Sequence, residues 1–314
     1  MNKAIVISAL GRKTFTAKQV LILKKSLRVR FFSCLTPMNP FDFIKLVRPY
    51  PIIGLTRRSL RNLDRNILEK LVNLKGLAIY ATGYEWIDLE YLVEKKIAVS
   101  YLPDYSTLSA AEHALGSLLT LTRRIHLSFD KTRGLVTRDV SLRGQELFGK
   151  TVGIVGFGRI GRRLAELLKP FQVRFIYNDI KTIASSFGTQ SSLKSLLRQS
   201  NVVFLCCPLN RGQKPLLGKE EINQIKRGGL IINISRPGLV DHDYLLRALR
   251  KKTVSGYALD EQLDILTNAR NVEAGRILQT GHTAWYSTEV IERGTQGWVE
   301  NLEALGAGKK RNRI

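Results

Sequence analysis

The sequence predicts an α/β protein with two doubly wound parallel sheets, and three observations carry this prediction. Short apolar runs alternate with segments of helical periodicity along most of the 314 residues. The alternation occurs in two series, and a glycine-rich turn follows the first strand of the second series. Alternating strands and helices are typical of parallel sheets with crossover helices. Hydrophobic residues make up 44% of the chain, which indicates a folded protein with a real core.

The first series contains apolar runs of strand length with helical segments between them. The predicted strands are KAIVISA, VRFFS, PIIGLT, KGLAIYAT and IAVSYLP, and the predicted helices are AKQVLILKKSL, DRNILEKLVNL and DLEYLVEKK. A long helical segment follows, from about Thr107 to about Lys131.

The second series begins after this long helix. Its predicted strands are KTVGIVG, VRFIYND, NVVFLCC, LIINIS, VSGYALD and RILQTG. A last helix, from roughly Ser287 to Leu305, has no obvious place in the second sheet, so we expect it to pack back on the first domain.

The glycine-rich turn predicts a dinucleotide site. Gly156, Gly158 and Gly161 form a GxGxxG motif between a strand and a helix, which is the context that the motif requires. Gly156 allows the tight turn, Gly158 allows the backbone to approach a pyrophosphate, and Gly161 allows close packing of helix on strand. Asp179 lies 18 residues after Gly161, where an acidic residue holds the ribose hydroxyls of NAD and repels the phosphate of NADP. Lys181 nearby leaves tolerance of NADP open.

Charge and composition exclude several classes of protein. The net charge is +24, but the Lys and Arg residues are scattered, so we expect a basic surface that favours anionic ligands and no nucleic-acid partner. Cys34, Cys206 and Cys207 make no disulfide framework, which predicts a reducing, cytoplasmic compartment. The four histidines show no spacing typical of a zinc site, and no metal is expected. No apolar run is long enough for a bilayer, and the apolar N-terminus is interpreted as a strand rather than a signal peptide.

Polar side chains follow several strands of the second series, at the sheet edge where ligands gather. Arg236 offers a planar fork for a carboxylate, and His282 can carry a proton near neutral pH. Together they suit a 2-hydroxy or 2-keto acid. Pro208 and Asp260 follow two further strands at the same edge. The other histidines are interpreted as a core or interface residue, His113, and as surface residues, His126 and His242.

These motifs resemble the D-isomer-specific 2-hydroxyacid dehydrogenase family, from about Leu74 to Leu305. The segments that carry the resemblance are ATGYEWIDLEYLVEKKIAV, YSTLSAAEHALGSLLTLTRR, LFGKTVGIVGFGRIGRRLA, LIINISRPGLVDHDYLLRAL, GYALD and TGHTAW. The family implies a Rossmann coenzyme domain, residues 105–284, inserted into a flavodoxin-like substrate domain made of residues 1–104 and 285–314.

The resemblance also implies roles for individual residues. Arg236 and His282 would be the catalytic pair, and the backbone at Thr82 and Gly83 would bind the substrate carboxylate together with Arg236. The helix after Thr107 would form much of a homodimer interface. The dinucleotide contacts implied by the motif and the resemblance are Gly156, Gly158, Arg159, Ile160, Gly161, Asp179, Cys207, Pro208, Ile234 and Asp260.

One departure from the family concerns the partner of His282. The family carries a Glu five residues after the Asp of the LD pair, and this chain has Ile265 there. Asp264 is the first candidate replacement, and Glu261 and Glu273 are weaker ones. Gly281 also stands where the family usually has Pro. Without a carboxylate partner, His282 would be less well oriented.

Two functions therefore stay open at this point, with a third suggested by charge alone. The first is an NAD-dependent enzyme that transfers a hydride between nicotinamide and C2 of a small D-2-hydroxy or 2-keto acid. The alternative is a non-catalytic NAD(H)-sensing interaction protein on the same fold. The third, a nucleic-acid-associated protein, rests only on the charge of +24. The sequence does not name the acid.

Overall fold

The computed structural model describes residues 1–210 and 212–314, which divide into two compact units. One unit comprises Met1–Tyr105 and Ser287–Ile314, and the other comprises Ser106–Tyr286. Each unit has its own parallel sheet. The chain therefore leaves the first unit once, forms the second, and returns to the first through its C-terminal segment.

The first unit alternates strands and helices. In chain order these are β1 (Asn2–Ser8), α1 (Ala17–Ser26), β2 (Leu27–Ser33), α2 (Pro40–Val47), β3 (Ile52–Leu55), α3 (Arg65–Leu68), β4 (Gly76–Ile79), α4 (Leu89–Glu94) and β5 (Ala98–Ser100). The strands pair in parallel in the order β2–β1–β3–β4–β5, which is the flavodoxin-like order. β3 and β4 are buried along their whole length, as expected for central strands covered on both faces.

Two helices of this unit differ from the sequence prediction. α3 covers only four residues of the predicted eleven-residue segment, because reverse turns follow Leu68 instead of further helix. α2 was not predicted, although it has the expected signals. The side chain of Asn39 accepts a hydrogen bond from the backbone N–H of Asp42, and Pro40 occupies the first helical position.

The second unit contains α5 (Thr107–Arg123), α6 (Ile125–Thr132), β6 (Thr151–Val155), α7 (Arg159–Leu168), β7 (Arg174–Asn178), β8 (Gly188–Gln190), α8 (Leu193–Gln199), β9 (Val202–Leu205), α9 (Lys219–Gln224), β10 (Gly229–Asn233), α10 (His242–Arg250), β11 (Val254–Asp260) and β12 (Ile277–Thr280). Its strands are parallel in the order β12–β11–β10–β9–β6–β7–β8, which contains the Rossmann order. The order reverses between β6 and β9, so ligands are expected at the carboxyl ends of these strands.

The long predicted helix is interrupted at Arg124. This residue has φ +54° and ψ +35°, a left-handed conformation that ends α5 and precedes α6. The prediction of one continuous helix from about Thr107 to about Lys131 is therefore wrong at this point.

The C-terminal helix α11 (Thr288–Gly306) lies in the first unit. Ser287 caps its start by accepting from the backbone N–H of Val290. Trp298 is fully buried, and its indole N–H donates to the carbonyl of Ala78 in β4 at 2.9 Å. This buried hydrogen bond fixes the helix against the sheet of that unit.

The fold class predicted from the sequence is confirmed, since both units are doubly wound parallel sheets with the two expected strand orders. Among the helices of the described residues, none combines the length and apolar character needed to cross a membrane.

Candidate active site

The glycine loop connects β6 to α7 in a conformation that requires glycine at two positions. Gly156 has φ +89°, and a Cβ there would lie 2.7 Å from the backbone N of Cys207. A Cβ at Gly161 would lie 2.4 Å from the carbonyl oxygen of Gly156. Gly153, inside β6, is also sterically required, since its Cβ would meet the Ser200 hydroxyl at 2.4 Å. The loop is thus held tightly against the strand ends.

Gly158 differs from its neighbours because a Cβ there would meet nothing within 4 Å. It is the N-cap of α7, and the backbone N–H groups of the first helical turn, which include those of Arg159 and Ile160, have no acceptor within the helix. The end of a helix with exposed N–H groups attracts phosphate. This geometry fits the pyrophosphate of a dinucleotide.

Asp179 lies at the end of β7 and connects this strand to the glycine loop. Its Oδ2 accepts from the backbone N–H of Phe157 at 2.8 Å, and its Oδ1 accepts from that of Lys181 at 3.0 Å. A carboxylate oxygen has two lone pairs, so each oxygen retains capacity for a ribose hydroxyl. Its partial exposure leaves it accessible to a ligand.

The residues after β9 lie beside the glycine loop. The backbone N–H of Cys206 donates to Val155 of β6 at 2.8 Å, and the steric contact of Gly156 involves Cys207. Burial raises the pKa of the Cys206 thiol and raises that of Cys207 to about 11, to which the charge of Asp179 adds. These thiols are therefore protonated near neutral pH, and they offer an uncharged, weakly polar surface beside the glycine loop. Pro208, which follows them, is exposed.

The loop after β10 holds Arg236. Fully buried Asn233 donates from its Nδ2 to the carbonyl of Arg236 at 2.9 Å, and its Oδ1 accepts from the backbone N–H of Ser235 at 3.0 Å. The Ser235 hydroxyl donates to Leu205 of β9, and the Arg236 Nη1 donates to the Ser235 carbonyl. Ile234 is half-buried in the same loop. Hydrogen bonds from side chain to backbone therefore fix the position from which the guanidinium extends.

A second layer of polar groups supports Asn233 from within the sheet. The hydroxyl of Tyr257 lies 3.4 Å from the Asn233 Nδ2 and 3.1 Å from the Nε2 of His242. Burial lowers the pKa of His242 and raises that of Tyr257, so both groups are neutral near pH 7. His242, interpreted from the sequence as a surface residue, is half-buried, and its ring forms a hydrogen bond with the hydroxyl of buried Tyr257.

Asp260 at the end of β11 is buried and organises the loop after β12. Its Oδ1 accepts from the Thr280 hydroxyl and from the backbone N–H of Thr283, and its Oδ2 accepts from that of Ala284. His113 of α5 lies 3.1 Å from the Thr280 hydroxyl oxygen. The carboxylate thus holds the two residues that follow His282.

His282 itself is the central residue of this loop. Its backbone has φ +60°, which is uncommon for a side chain with a Cβ and is typical of residues held in place for function. Its Nδ1 lies 2.8 Å from the Oε2 of Glu261, and the ring remains about one-third exposed. A hydrogen bond at Nδ1 fixes the ring and leaves Nε2 to face a ligand.

The carboxylate beside His282 is therefore Glu261, which the sequence ranked below Asp264. Glu273, the other weak candidate, binds Arg124, Lys252 and Arg276 instead. Ile265, at the family's usual position for the Glu, is buried in the hydrophobic core. The signal available in the sequence was the position of Glu261 directly after Asp260, at the strand end.

The structure brings the candidate residues to one edge of the sheet. Arg236 follows β10, Asp260 ends β11 and His282 follows β12, and these three strands are consecutive parallel neighbours. Adjacent strands lie about 4.8 Å apart, so the loops with Arg236 and His282 begin roughly 10 Å apart. The glycine loop emerges from the same edge, since β6 is in the same parallel sheet.

Thr82 and Gly83 belong to the first unit, where they follow β4. The Thr82 hydroxyl donates to the carbonyl of Leu102 at 3.0 Å, and the Gly83 carbonyl accepts from the indole N–H of Trp86 at 3.2 Å. These contacts fix the turn within its own unit.

A glycine loop, an acidic residue for ribose, and an Arg and a His at one sheet edge define a dinucleotide-dependent oxidoreductase. A family model described as "D-isomer specific 2-hydroxyacid dehydrogenase, NAD binding domain" matches residues 115–284. The chain belongs to the D-isomer specific 2-hydroxyacid dehydrogenase family and is an NAD-dependent enzyme of that family.

Individual relatives agree with this assignment. The chain is 32% identical over 261 residues to a glyoxylate reductase of Pyrococcus furiosus, covering 79% of this chain and 77% of that protein. It is 29% identical over 266 residues to a D-lactate dehydrogenase of Escherichia coli K12, covering 78% and 81%. The solved structure of apo D-lactate dehydrogenase from Escherichia coli superposes with a TM-score of 0.79 at 26% identity, covering 99% of both chains.

Proposed function

We propose that this chain interconverts a small 2-keto acid and its D-2-hydroxy acid, with Arg236 as the carboxylate-binding residue and His282 as the acid and base. The single observation that carries the proposal is the Glu261–His282 hydrogen bond of 2.8 Å at the sheet edge that also holds Arg236. A histidine oriented by a carboxylate, next to a fixed cation and a dinucleotide loop, suits acid–base chemistry on an organic anion.

Arg236 binds and polarises the substrate in this proposal. A guanidinium presents paired N–H donors that match a carboxylate, and the same cation stabilises negative charge on the C2 oxygen as it develops. Asn233 keeps the supporting backbone in place through its two hydrogen bonds to the loop. This arrangement selects small acids with an oxygen at C2.

His282 moves the proton. Bound nicotinamide supplies or accepts the hydride at C2. His282 donates its Nε2 proton to the C2 oxygen during reduction and takes a proton from the hydroxyl during oxidation. Glu261 holds the other ring nitrogen, so the proton in play is the one on the substrate side.

The residues present fit NAD. The open space at Gly158 admits phosphates, and Asp179 retains acceptors for both ribose hydroxyls while its charge opposes a ribose phosphate. We therefore propose preference for NAD over NADP. Further cofactor contacts in the proposal come from residues at the strand ends and the start of α7, namely Gly156, Arg159, Ile160, Gly161, Cys207, Pro208, Ile234 and Asp260.

The family resemblance supplies the remaining parts of the proposal. Residues 105–284 would be the coenzyme domain, and residues 1–104 with 285–314 the substrate domain. The backbone at Thr82 and Gly83 would bind the substrate carboxylate. The proposal also includes a homodimer formed through α5 and a cytoplasmic location.

The test measures turnover of a panel of 2-keto acids that includes pyruvate and glyoxylate. The loss of NADH absorbance reports the rate. We expect His282→Ala to lower kcat by about 10²–10⁴-fold and Arg236→Ala to lower kcat/KM by roughly 10²-fold or more. Unchanged activity in both variants would refute the residue assignment. Tight NADH binding without turnover on any acid would instead favour the alternative, an NAD(H)-sensing interaction protein.

A further inference from the structure

A chain of hydrogen bonds joins helix α5 to the loop that carries His282. The Nε2 of His113, in α5, lies 3.1 Å from the Oγ1 of Thr280, the last residue of β12. The Thr280 hydroxyl donates to the Oδ1 of Asp260, the last residue of β11, at 2.8 Å. The same Oδ1 accepts from the backbone N–H of Thr283 at 2.7 Å. His113 thus reaches, through one hydroxyl, the carboxylate that fixes the backbone next to His282.

The proton positions along this chain follow from the number of donors. A threonine hydroxyl has one proton, and that of Thr280 is directed at Asp260, whose two oxygens also accept from backbone N–H groups. Toward His113 the hydroxyl therefore offers a lone pair, so the Nε2 of His113 carries a proton and donates it. In the neutral ring this proton lies on Nε2 rather than on Nδ1. One tautomer of His113 thus completes the chain, and the other breaks it.

The Thr280 hydroxyl has a second acceptor near it, the carbonyl oxygen of Leu259 at 3.5 Å. A donor that binds the lone pair of the hydroxyl oxygen favours the rotamer in which the hydroxyl proton faces Asp260. His113 supplies this donor. Its Nε2 also lies 3.9 Å from the Oδ1 of Asp260, so the carboxylate attracts the same N–H proton. His113 therefore directs the Thr280 hydroxyl to Asp260 and away from the Leu259 carbonyl.

Burial makes these hydrogen bonds effective in holding the loop. Asp260 is buried, and the side chain of His113 is 22% exposed, so water has little access to replace either partner. His282 has a φ of +60°, a conformation that persists when the surrounding contacts enforce it. A change in the groups that hold Asp260 is therefore expected to move His282.

We propose that His113 is a positioning residue for His282 and acts through Thr280 and Asp260. The inference rests on the proposed function, because it gives His113 a part in the acid–base step of His282. Glu261 orients the ring of His282, and Asp260 orients the backbone that carries the ring. His113 touches neither the substrate nor the nicotinamide in this proposal. It holds the hydroxyl that anchors the carboxylate, and so sets where the Nε2 of His282 lies.

Two variants of His113 separate the hydrogen bond from the volume of the side chain. His113→Gln keeps an N–H donor at a similar reach, and His113→Leu removes the donor but keeps a side chain of similar size. We expect His113→Leu to lower kcat by roughly 10-fold, because a small misplacement of a reacting group is costly, with NADH binding and Tm close to those of the wild type. His113→Gln and the control Glu112→Gln, at the exposed neighbouring position, should retain kcat. Equal kcat values in His113→Leu and His113→Gln would contradict the proposal.

The variant Thr280→Val tests whether the effect of His113 passes through the hydroxyl. Valine keeps the shape of threonine and suits the end of a strand, but it breaks the chain of hydrogen bonds at its centre. If His113 acts through Thr280, His113→Leu should have little further effect on kcat in the Thr280→Val protein. Fully additive losses of kcat in the double variant would overturn the proposed route.

NMR of the histidine rings tests the same inference without turnover. The chain has four histidines, so labelling with ¹⁵N-histidine gives few ring signals, and long-range ¹H–¹⁵N spectra distinguish the tautomers. We expect the proton of neutral His113 on Nε2, and a ring signal of His282 that changes in His113→Leu but not in His113→Gln. A proton on the Nδ1 of neutral His113, or a His282 signal unaffected by His113→Leu, would overturn the inference. Absence of turnover on every keto acid would refute the proposed function alone, since these spectra report on His113 separately.

Discussion

His282 shows how one residue is prepared by others. Its φ of +60° is uncommon for a side chain with a Cβ, and it persists because Asp260 accepts from the backbone N–H groups of the next two residues. Glu261, next to Asp260 in the chain, then binds the ring. The two adjacent carboxylates thus have different contacts. Asp260 binds the backbone of the loop, and Glu261 binds the side chain of His282.

The first prediction concerns Glu261. Replacing it by Gln removes the negative charge beside the Nδ1 of His282 and puts there an amide that can donate as well as accept, so the ring loses its fixed tautomer and the charge that stabilises its protonated form. We expect Glu261→Gln to lower kcat by about 10–100-fold with a smaller effect on NADH binding. The measurement is steady-state kinetics beside NADH fluorescence titration.

The matched control for this prediction is Asp264→Asn. Asp264 was the first sequence candidate for the same role, and the structure gives it no contact with His282 among the described residues. A large loss of kcat in Asp264→Asn with none in Glu261→Gln would reverse the assignment.

The second prediction concerns His242 and pH. Burial lowers its pKa against the opposing charges of Asp241 and Asp243. The unfolded chain therefore binds more protons than the folded one once the pH drops to about 6.5, and stability is lost as pH falls toward the folded-state pKa. We expect the Tm of the wild type to fall more between about pH 7.5 and about pH 5 than that of His242→Gln. Parallel Tm profiles would contradict this role of burial.

At the scale of elements, the strand ends decide where chemistry is possible. Arg236 follows β10 and His282 follows β12, and β11 between these two strands supplies Asp260 and Glu261. The glycine loop uses the same edge of the sheet. Asn233 and Asp260 are buried at the ends of β10 and β11 and anchor the loops that carry Arg236 and His282.

The third prediction separates two glycines of one loop. A Cβ at Gly158 meets nothing, so Gly158→Ala should leave the Tm unchanged while its methyl group enters the space proposed for the pyrophosphate and weakens NADH binding. Gly156→Ala should instead destabilise the fold, because of its φ of +89° and the contact with Cys207. Calorimetry and NADH titration of both variants make the comparison. A large Tm loss in Gly158→Ala would show that the open space is structural.

The sequence was sufficient for features that depend on local pattern. Periodicity located every strand of both sheets except β8, whose three residues Gly188–Gln190 contain no apolar run. The spacing from Gly161 to Asp179 located the residue that contacts the glycine loop. Prediction from the sequence failed where the outcome depends on contacts between residues that are distant in the chain. The break at Arg124 involves Glu273, which is remote in sequence, and the choice of Glu261 over Asp264 depends on how the loop after β11 turns. The contact between His242 and Tyr257 needs a helix and a strand to be packed first.

At the scale of the whole molecule, the net charge of +24 is the least specific feature. Part of it is local, as in the cations gathered around Glu273. The rest makes an attractive field for any anion, including nucleic acid, without the need for a dedicated site. Binding of the protein to DNA at low salt would therefore be non-specific. Only binding that persists at moderate salt would support a nucleic-acid-associated function.

The fourth prediction follows from the same field acting on the proposed substrate. A 2-keto acid is an anion at neutral pH, so the positive potential should raise its concentration near the protein at low ionic strength. Screening shortens from about 30 Å at 0.01 M salt to about 8 Å at 0.15 M. We expect KM for the keto acid to rise several-fold over that range, with kcat less affected because Arg236 acts at contact distance. Sucrose at matched osmolarity is the control, and a KM that is insensitive to salt would mean that the surface charge has no part in substrate capture.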